Sequence, residues 1–132
     1  MLSYECAGLA QAGGLGEAVA GLAKNLAQDS KIEITVFLPS HGRHMDKDLR
    51  TAYNLKDETT FIANGYRTGT DRLHYHYLAG IERGYRDSVH YVLIKGLDGR
   101  TSEWLDDRTL YDSNVMFEKM SLFARTVKAY SD

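Results

Sequence analysis

The stretch that decides the fold is Gln11-Ala12-Gly13-Gly14-Leu15-Gly16-Glu17, a glycine-rich turn that leads directly into an apolar repeat. The repeat has spacings of four, three and four residues, which predicts a helix over residues 15–28 with one buried face. That predicted face consists of Leu15, Val19, Leu22 and Leu26.

Two strand-like segments flank the predicted helix. Residues 1–7 are typical of the end of a strand, and residues 32–38 form a β-branched run that stops at Pro39. Strand, helix, strand is a βαβ unit, so we expect a parallel pair with a right-handed crossover. The predicted fold class is α/β, with a Rossmann-like three-layer parallel sheet.

The glycine turn is suited to binding an anion. Paired glycines let a ligand approach the backbone without a Cβ in the way, and the start of a helix carries partial positive charge. The spacing fits neither G-x-G-x-x-G nor a P-loop, so the pattern alone does not identify the ligand. The candidate binding residues are Gln11, Gly13, Gly14 and Leu15.

A second loop is expected at the same edge of the sheet, because ligands of such folds bind beyond the carboxyl ends of the strands. In the loop 39–43, His41 can donate to a sugar hydroxyl or a phosphate, and Arg43 can pair with a phosphate or a carboxylate. The alternative is an ordinary exposed polar loop.

The middle of the chain predicts β-hairpin additions to the sheet. Asn64-Gly65 predicts a tight turn, residues 72–78 and 88–94 predict strands, and Gly80 and Gly84 interrupt the pattern. Residues 45–55 predict a short helix with Leu49 and Ala52 facing inward.

The last segment, residues 114–130, predicts a helix that Asp112 or Ser113 caps. Its expected core-facing residues are Met116, Met120, Phe123, Val127 and Tyr130.

Several residue clusters suggest ligand sites and have plainer alternatives. Trp104 and Tyr111 can stack on a sugar, or can simply half-bury, in an acidic stretch that we interpret as an exposed loop. Asp106, Asp107 and Asp112 in that stretch lack EF-hand spacing, and His74, His76 and His90 are more typical of a solvent-facing row than of a zinc site. We predict no metal and no cofactor, and no catalytic residue is assigned.

Composition excludes several classes of function. The 132 residues carry a net charge of −2, so nucleic acid and membrane surfaces are not expected partners. The single Cys6 forms no internal disulfide, and cytoplasm is the default compartment. Both ends of the chain are abrupt for an α/β fold, which we interpret as a segment cut from a longer protein.

Residues 3–17 resemble the first loop of bacterial and archaeal glycogen and starch synthases, S-x-E-x-x-P-x-x-K-x-G-G-L-G-D. The loop 39–43 is similar to the loop after the family's second strand, especially in archaeal members. Tyr111-Asp112 with Phe117, Phe123 and Arg125 resembles a later helix of the family's N-terminal domain. The resemblance runs in order along nearly the whole chain, although the middle is supported only by its hairpin-like pattern.

The resemblance implies a GT-B glycosyltransferase, with two Rossmann-like domains and the active site in the cleft between them. It implies retaining transfer of glucose from ADP-glucose or UDP-glucose to the non-reducing end of an α-1,4-glucan, without a metal. The turn would then hold the donor's phosphates. The candidate residues lining the cleft are Glu5, His41, Arg43, Trp104 and Tyr111.

Residues 1–132 correspond in this interpretation to part of the N-terminal domain, and the C-terminal nucleotide-sugar-binding domain is absent. We therefore expect the chain alone to be inactive. Gln11 stands where the family has a lysine, and Gly8 where it has a proline. These departures leave two alternatives open: a non-catalytic glucan- or nucleotide-binding relative, and another GT-B glycosyltransferase.

Overall fold

The computed structural model describes the backbone of residues 1–66 and 74–132, and the side chains of residues 1–58 and 77–132. A 3₁₀ turn at Arg43–Met45 supplements the regular elements. In chain order these are α1 (Gly14–Leu26), β1 (Ile34–Pro39), α2 (Lys47–Ala52), β2 (Lys56–Tyr66), β3 (His74–Arg86), β4 (Val89–Gly96), α3 (Gly99–Leu105) and α4 (Met116–Ser131).

The four described strands form one mixed sheet in the order β1-β4-β3-β2. Strands β1 and β4 are parallel, with Ile34 opposite Val89 and Pro39 opposite Ile94. Strands β2 and β3 are antiparallel to their neighbours and form the predicted hairpin addition. The α/β prediction is confirmed, although the sheet is only partly parallel.

Helices cover both faces of the sheet, because alternate residues of the central strands are apolar on each side. On one face α1 packs over Val36, Leu38 and Leu93. On the other face α3 and α4 pack over Val92 and Ile94. The result is the expected three-layer arrangement.

The amino-terminal segment pairs with β1 more briefly than predicted. The Ser3 N–H donates to the Phe37 carbonyl at 2.9 Å, and the Phe37 N–H donates to the Met1 carbonyl at 2.8 Å. This contact is a single parallel bridge between Leu2 and Phe37 rather than a regular strand. It nevertheless brings the glycine turn to the carboxyl end of β1.

The predicted buried face of α1 is only partly right, because Val19 is buried and Leu26 packs against the core but the two other leucines do not. Leu15 and Leu22 are about half exposed, at 49% and 51%. The buried face consists of Gly16, Val19, Ala20 and Ala23. Small side chains on that face let the helix lie close to the sheet, and this close packing outweighs the leucine periodicity.

The hairpin prediction is right, but the predicted turn position is wrong. Asn64 and Gly65 lie inside β2, where Gly65 pairs with Tyr75. The long ladder between β2 and β3 overrides the local turn preference of the Asn-Gly pair, and the connection, with predicted strand residues 72 and 73, lies outside the described residues. Gly80 and Gly84 also lie inside a strand, β3.

Smaller corrections concern the remaining helices. The sequence pattern missed α3, which begins with a capping box formed by Asp98 and Thr101. In α2, Leu49 contacts the core but Ala52 is exposed. The α4 helix begins after Val115 without a side-chain cap, so neither Asp112 nor Ser113 occupies the cap position.

The buried face of α4 also differs from the predicted stripe. Met120 is 51% exposed, whereas Lys119 is fully buried. The buried residues are Lys119, Leu122, Phe123, Thr126 and Val127. Phe123 and Val127 are buried as predicted, and a polar interior site accepts the Lys119 side chain, whose Nζ donates to the Asp107 carbonyl at 3.0 Å. No helix in the described part of the chain has the length and apolar character needed to cross a bilayer.

Candidate functional site

The glycine turn and the loop after β1 meet at one edge of the sheet, because the amino-terminal segment bridges β1 in parallel at Leu2 and Phe37. Backbone hydrogen bonds close the segment before the turn: the Cys6 N–H donates to the Ala10 carbonyl at 2.8 Å, and the Ala7 N–H donates to the Gly16 carbonyl at 3.0 Å. Gly8 adopts a φ of +91°, and a Cβ there would collide with the hydroxyl of Tyr53. The left-handed conformation excludes the proline that stands at this position in the family pattern.

The start of α1 is open to solvent. Gly13 is the N-cap residue and provides no side-chain hydrogen bond to the first turn. Gly14 and Leu15 are exposed, and among the described residues no hydrogen bond reaches their backbone N–H groups. A Cβ placed at Gly13 or Gly14 would meet no atom within 4 Å. The arrangement presents free amide donors at the positive end of a helix.

Glu5 lies beneath the turn and holds it in place. Its side chain is buried, and its Oε1 accepts hydrogen bonds from the N–H groups of Ala12 at 2.6 Å and Gly13 at 2.7 Å. Its Oε2 accepts a hydrogen bond from the hydroxyl of Tyr111. Burial alone would raise the pKa of Glu5, but the Tyr111 hydroxyl and the two amides together hold that pKa below its usual value.

Gln11 lies on the exposed surface of the turn. Its Nε2 donates to the Gly13 carbonyl at 3.2 Å and to Oε1 of Glu17 at 3.1 Å. The amide group is therefore engaged with the turn itself and adds no positive charge to it.

His41 lies inside the protein rather than on the loop surface. It is fully buried with a φ of +50°, and its Nε2 lies 2.9 Å from the carbonyl oxygen of Tyr4. Its Nδ1 lies 3.1 Å from Nζ of Lys119, which is also fully buried. Burial and the nearby Lys119 ammonium lower the pKa of His41 to about 4, so the imidazole is neutral at pH 7.

Aromatic rings connect these polar groups. The ring of Tyr4 packs edge-on against His41 at 5.0 Å and at a tilt against Tyr111 at 5.2 Å between centroids. Burial raises the pKa of Tyr4 to about 12, and burial with the hydrogen bond to Glu5 raises the pKa of Tyr111 to about 12. Both phenols are therefore neutral at pH 7.

Trp104 lies apart from this network, whereas Arg43 acts on His41 through its charge. The Nε of Arg43 is buried and has no hydrogen-bond partner in the described structure. Trp104 lies on α3 and packs against Tyr77 at 5.5 Å in the core under α3 and α4. No ring contact in the described part of the chain joins Trp104 to the glycine turn.

A nearby Ser-His-Asp grouping does not form a catalytic triad. The same atom, Nδ1 of His44, contacts both Ser40 Oγ and, at 3.8 Å, Oδ1 of Asp106. A triad uses both ring nitrogens, one toward the nucleophile and one toward the carboxylate. Ser40 is also fully buried, so a substrate cannot reach its hydroxyl.

Comparison with known proteins identifies the family. The family model described as the starch synthase catalytic domain matches residues 1–131. The chain belongs to the starch synthase catalytic domain family.

A solved structure agrees in fold. The catalytic domain of starch synthase IV from Arabidopsis thaliana, bound to ADP and acarbose, superposes with a TM-score of 0.71 at 22% identity. The match covers 96% of this chain and 23% of that one, so the chain spans less than a quarter of the length of that solved structure. Curated protein sequences gave no match to the chain.

The starch synthase resemblance stated from the sequence is thus confirmed, and the structure adds detail to the predicted site residues. Glu5 and His41 support the turn from the interior, and only Tyr111 combines a contact to that support with a partly exposed ring. Tyr4 and Lys119 were not among the residues predicted from the sequence. The sequence did contain a signal for a buried cation. Lys119 lies one helical turn before Leu122 and Phe123, on the face that α4 buries.

Proposed function

We propose that this chain provides the donor-phosphate-binding turn of a glycogen or starch synthase. The parent protein is then a hexosyltransferase that moves glucose from ADP-glucose or UDP-glucose to the non-reducing end of an α-1,4-glucan with retention. Residues 1–132 are part of its N-terminal domain, and a C-terminal nucleotide-sugar-binding domain completes the cleft. The family match over residues 1–131 supports this assignment.

The observation that carries the proposal is the uncapped, exposed start of α1. A diphosphate placed there meets the free N–H groups of Gly14 and Leu15, and the absence of side chains at Gly13 and Gly14 permits close approach. Glu5 already holds the N–H groups of Ala12 and Gly13, which fixes the turn so that the remaining donors point outward.

The electrostatics of the turn predict weak binding by the chain alone. Gln11 is neutral, and Glu17 places a carboxylate in the first turn of α1. A lysine at position 11 would neutralise phosphate charge, whereas a glutamine supplies hydrogen bonds only. Most of the affinity for the nucleotide sugar is therefore assigned to the second domain, and the chain alone transfers no glucose.

The proposal is tested by titrating ADP and ADP-glucose into the 15N-labelled chain. We expect amide shifts concentrated at Gly14 and Leu15.

Two variants test the role of the Gly14 amide. Gly14→Pro removes one amide donor while keeping a residue that is favourable at the first position of a helix, and Gly14→Ala keeps the donor. Gly14→Pro should weaken ADP binding about tenfold, as expected for a hydrogen bond to a charged group, and Gly14→Ala should weaken it much less. Equal affinities of the two variants would contradict the proposal.

Gln11 favours one second candidate, a non-catalytic relative that binds glucan. Calorimetric titration with maltooligosaccharide distinguishes the two functions, since binding of glucan in the absence of nucleotide supports the second. A glucose-incorporation assay with ADP-glucose and glycogen adds a direct check, because transfer by the isolated chain would contradict its expected inactivity.

A further inference from the structure

Lys119 and His41 form a buried polar pair that the proposed phosphate contacts do not use. The Nζ of Lys119 has three acceptors within hydrogen-bond distance: the carbonyls of Asp107 at 3.0 Å and Thr109 at 3.3 Å, and Nδ1 of His41 at 3.1 Å. An ammonium group has three N–H donors, so these acceptors satisfy it completely. Within the described part of the chain, the buried charge is thereby compensated by polar atoms rather than by a carboxylate at contact distance.

The two neighbours of His41 together specify one tautomer. The carbonyl of Tyr4 can only accept, so Nε2 of His41 must carry the hydrogen in that contact. The ammonium of Lys119 can only donate, so Nδ1 accepts from it and is the unprotonated nitrogen, and the Asp107 carbonyl, which also lies at the imidazole, is occupied by the same ammonium. The imidazole is therefore neutral with its hydrogen on Nε2.

This hydrogen-bond chain ends at the glycine turn. Tyr4, whose carbonyl accepts from His41, directly precedes Glu5, and Glu5 holds the N–H groups of Ala12 and Gly13. This path links α4 to the turn, and three of its side chains, those of Lys119, His41 and Glu5, are fully or almost fully buried.

We propose that Lys119 is a positioning residue for the anion-binding turn, because its ammonium holds His41 in the tautomer whose Nε2–H fixes the backbone beside Glu5. The inference deepens the proposed function and rests on it for the identity of the ligand, a nucleoside diphosphate. Lys119 itself lies below the turn and does not touch the ligand.

The charges around the pair favour a neutral His41 beside a charged Lys119. Burial lowers the pKa of Lys119, while the acidic side chains near it act in the opposite direction. A second positive charge on His41 would be repelled by Lys119 and by Arg43, which also faces the imidazole. The groups that face the pair from the packed elements are Tyr4, Glu5, Arg43, Asp106, Asp107 and Asp112.

The first test needs no variant. A long-range 1H–15N spectrum of the imidazoles distinguishes a protonated from an unprotonated ring nitrogen. We expect His41 at pH 7 to show hydrogen on Nε2 and none on Nδ1. A charged ring, or hydrogen on Nδ1, would refute the inference whatever the variants show.

The second test compares Lys119→Met with Lys128→Met. Lys128 lies on the same helix with its side chain 80% exposed, so it controls for the loss of a lysine from α4. In Lys119→Met, amide exchange at Ala12 and Gly13 should accelerate about fivefold to tenfold relative to the core strand β4, the size expected for one lost hydrogen bond. Lys128→Met should leave that ratio unchanged.

The comparison with β4 separates positioning from general destabilisation. A purely structural role of Lys119 would accelerate exchange in the turn and in β4 equally, and that outcome would overturn the inference. Relief of repulsion in Lys119→Met should also raise the pKa of His41 above its value of about 4. Should Lys119→Met fail to fold, the tautomer of the wild-type chain remains decisive.

The two proposals can fail separately. If the wild-type chain does not bind ADP, the proposed function loses its support, but the tautomer and the exchange ratio still decide the role of Lys119. If ADP binds and Lys119→Met binds it with unchanged affinity and unchanged turn protection, only the positioning role is refuted. We expect Lys119→Met to bind ADP threefold to tenfold more weakly than the wild-type chain does.

Discussion

The Oε1 atom of Glu5 lies 2.7 Å from the backbone nitrogen of Gly13, so a carboxylate of the protein itself occupies part of the predicted anion-binding turn. The same oxygen accepts from the Ala12 N–H at 2.6 Å. The donors that remain for a ligand are therefore those at the start of α1. In this arrangement the buried acid shapes the turn, and the helix supplies the binding groups.

Glu5→Gln should destabilise the fold and loosen the turn. A glutamine retains one acceptor oxygen but loses the charge that two amides and the Tyr111 hydroxyl stabilise. The amide nitrogen of a glutamine cannot accept from the Tyr111 hydroxyl, and one hydrogen bond to a charged group contributes about 2 kcal/mol, so we expect a loss of about 2 kcal/mol in the free energy of unfolding in urea. Glu103→Gln, at an exposed position of α3, should change stability by much less. Equal stability of Glu5→Gln and wild type would show that the carboxylate does not hold the turn.

The pattern of this site was only partly readable from the sequence. Strand β1, the turn and its junction with a helix follow from local spacing, which is why they were predicted at nearly the right residues, whereas the first strand of the predicted βαβ unit is reduced to a single bridge. The buried face of α1 was not predicted correctly, because Leu15 and Leu22 satisfy the helical period, whereas Gly16 and Ala20 provide the close packing against the sheet. Periodicity gives the period of a helix but not the identity of its partner.

The interior polar groups were harder still to predict. His41 was expected on a loop surface, yet it is fully buried, since Lys119 and the Tyr4 carbonyl supply its hydrogen bonds from segments far away in the chain. Only the tertiary fold brings these three residues together. Trp104 was predicted in an exposed loop, but it lies on helix α3. That helix was missed because it begins at the Asp98 cap and has no apolar repeat.

Acidification should destabilise the chain through His41. Its pKa in the folded state is about 4, below the ordinary 6.5, so protons bind preferentially to the unfolded state. Stability from the neutral imidazole is present above pH 6.5 and falls as the pH is lowered towards 4, by about 3 kcal/mol in total at ~1.4 kcal/mol per pH unit. His41→Asn, a residue that tolerates the left-handed conformation, should remove this part of the slope. His90→Asn on β4 is the matched control, and a pH dependence of stability identical in both variants would contradict the assignment.

Asp106 should make the chain less stable as the pH rises, which is opposite to the effect of His41. Burial raises its pKa from 3.8 to about 6, although the Gly96 N–H partly offsets that effect. The folded state therefore binds the proton more tightly, and stability declines as the pH rises from about 4 to 6. Asp106→Asn keeps an acceptor for Gly96 and removes the buried charge, so we expect a gain of about 1–3 kcal/mol in the free energy of unfolding at pH 7. The gain should vanish near pH 3.5, and Asp48→Asn on the exposed surface of α2 should show no such pattern.

Gln11→Lys should increase the affinity of the turn for ADP. The side chain lies on the exposed surface beside Gly13, so a lysine there adds positive charge near the open start of α1. Glu17, which lies 3.1 Å from the Gln11 amide nitrogen, will compete for the new ammonium, but an exposed ion pair contributes only about 0–1 kcal/mol. We expect a threefold to tenfold gain in affinity at low salt that shrinks as added salt screens the charge. Gln28→Lys makes the same substitution at an exposed position beyond the opposite end of α1, and it changes the net charge equally. Similar gains in both variants would mean that the affinity for ADP depends on total charge, and would contradict the assignment of the phosphates to the glycine turn.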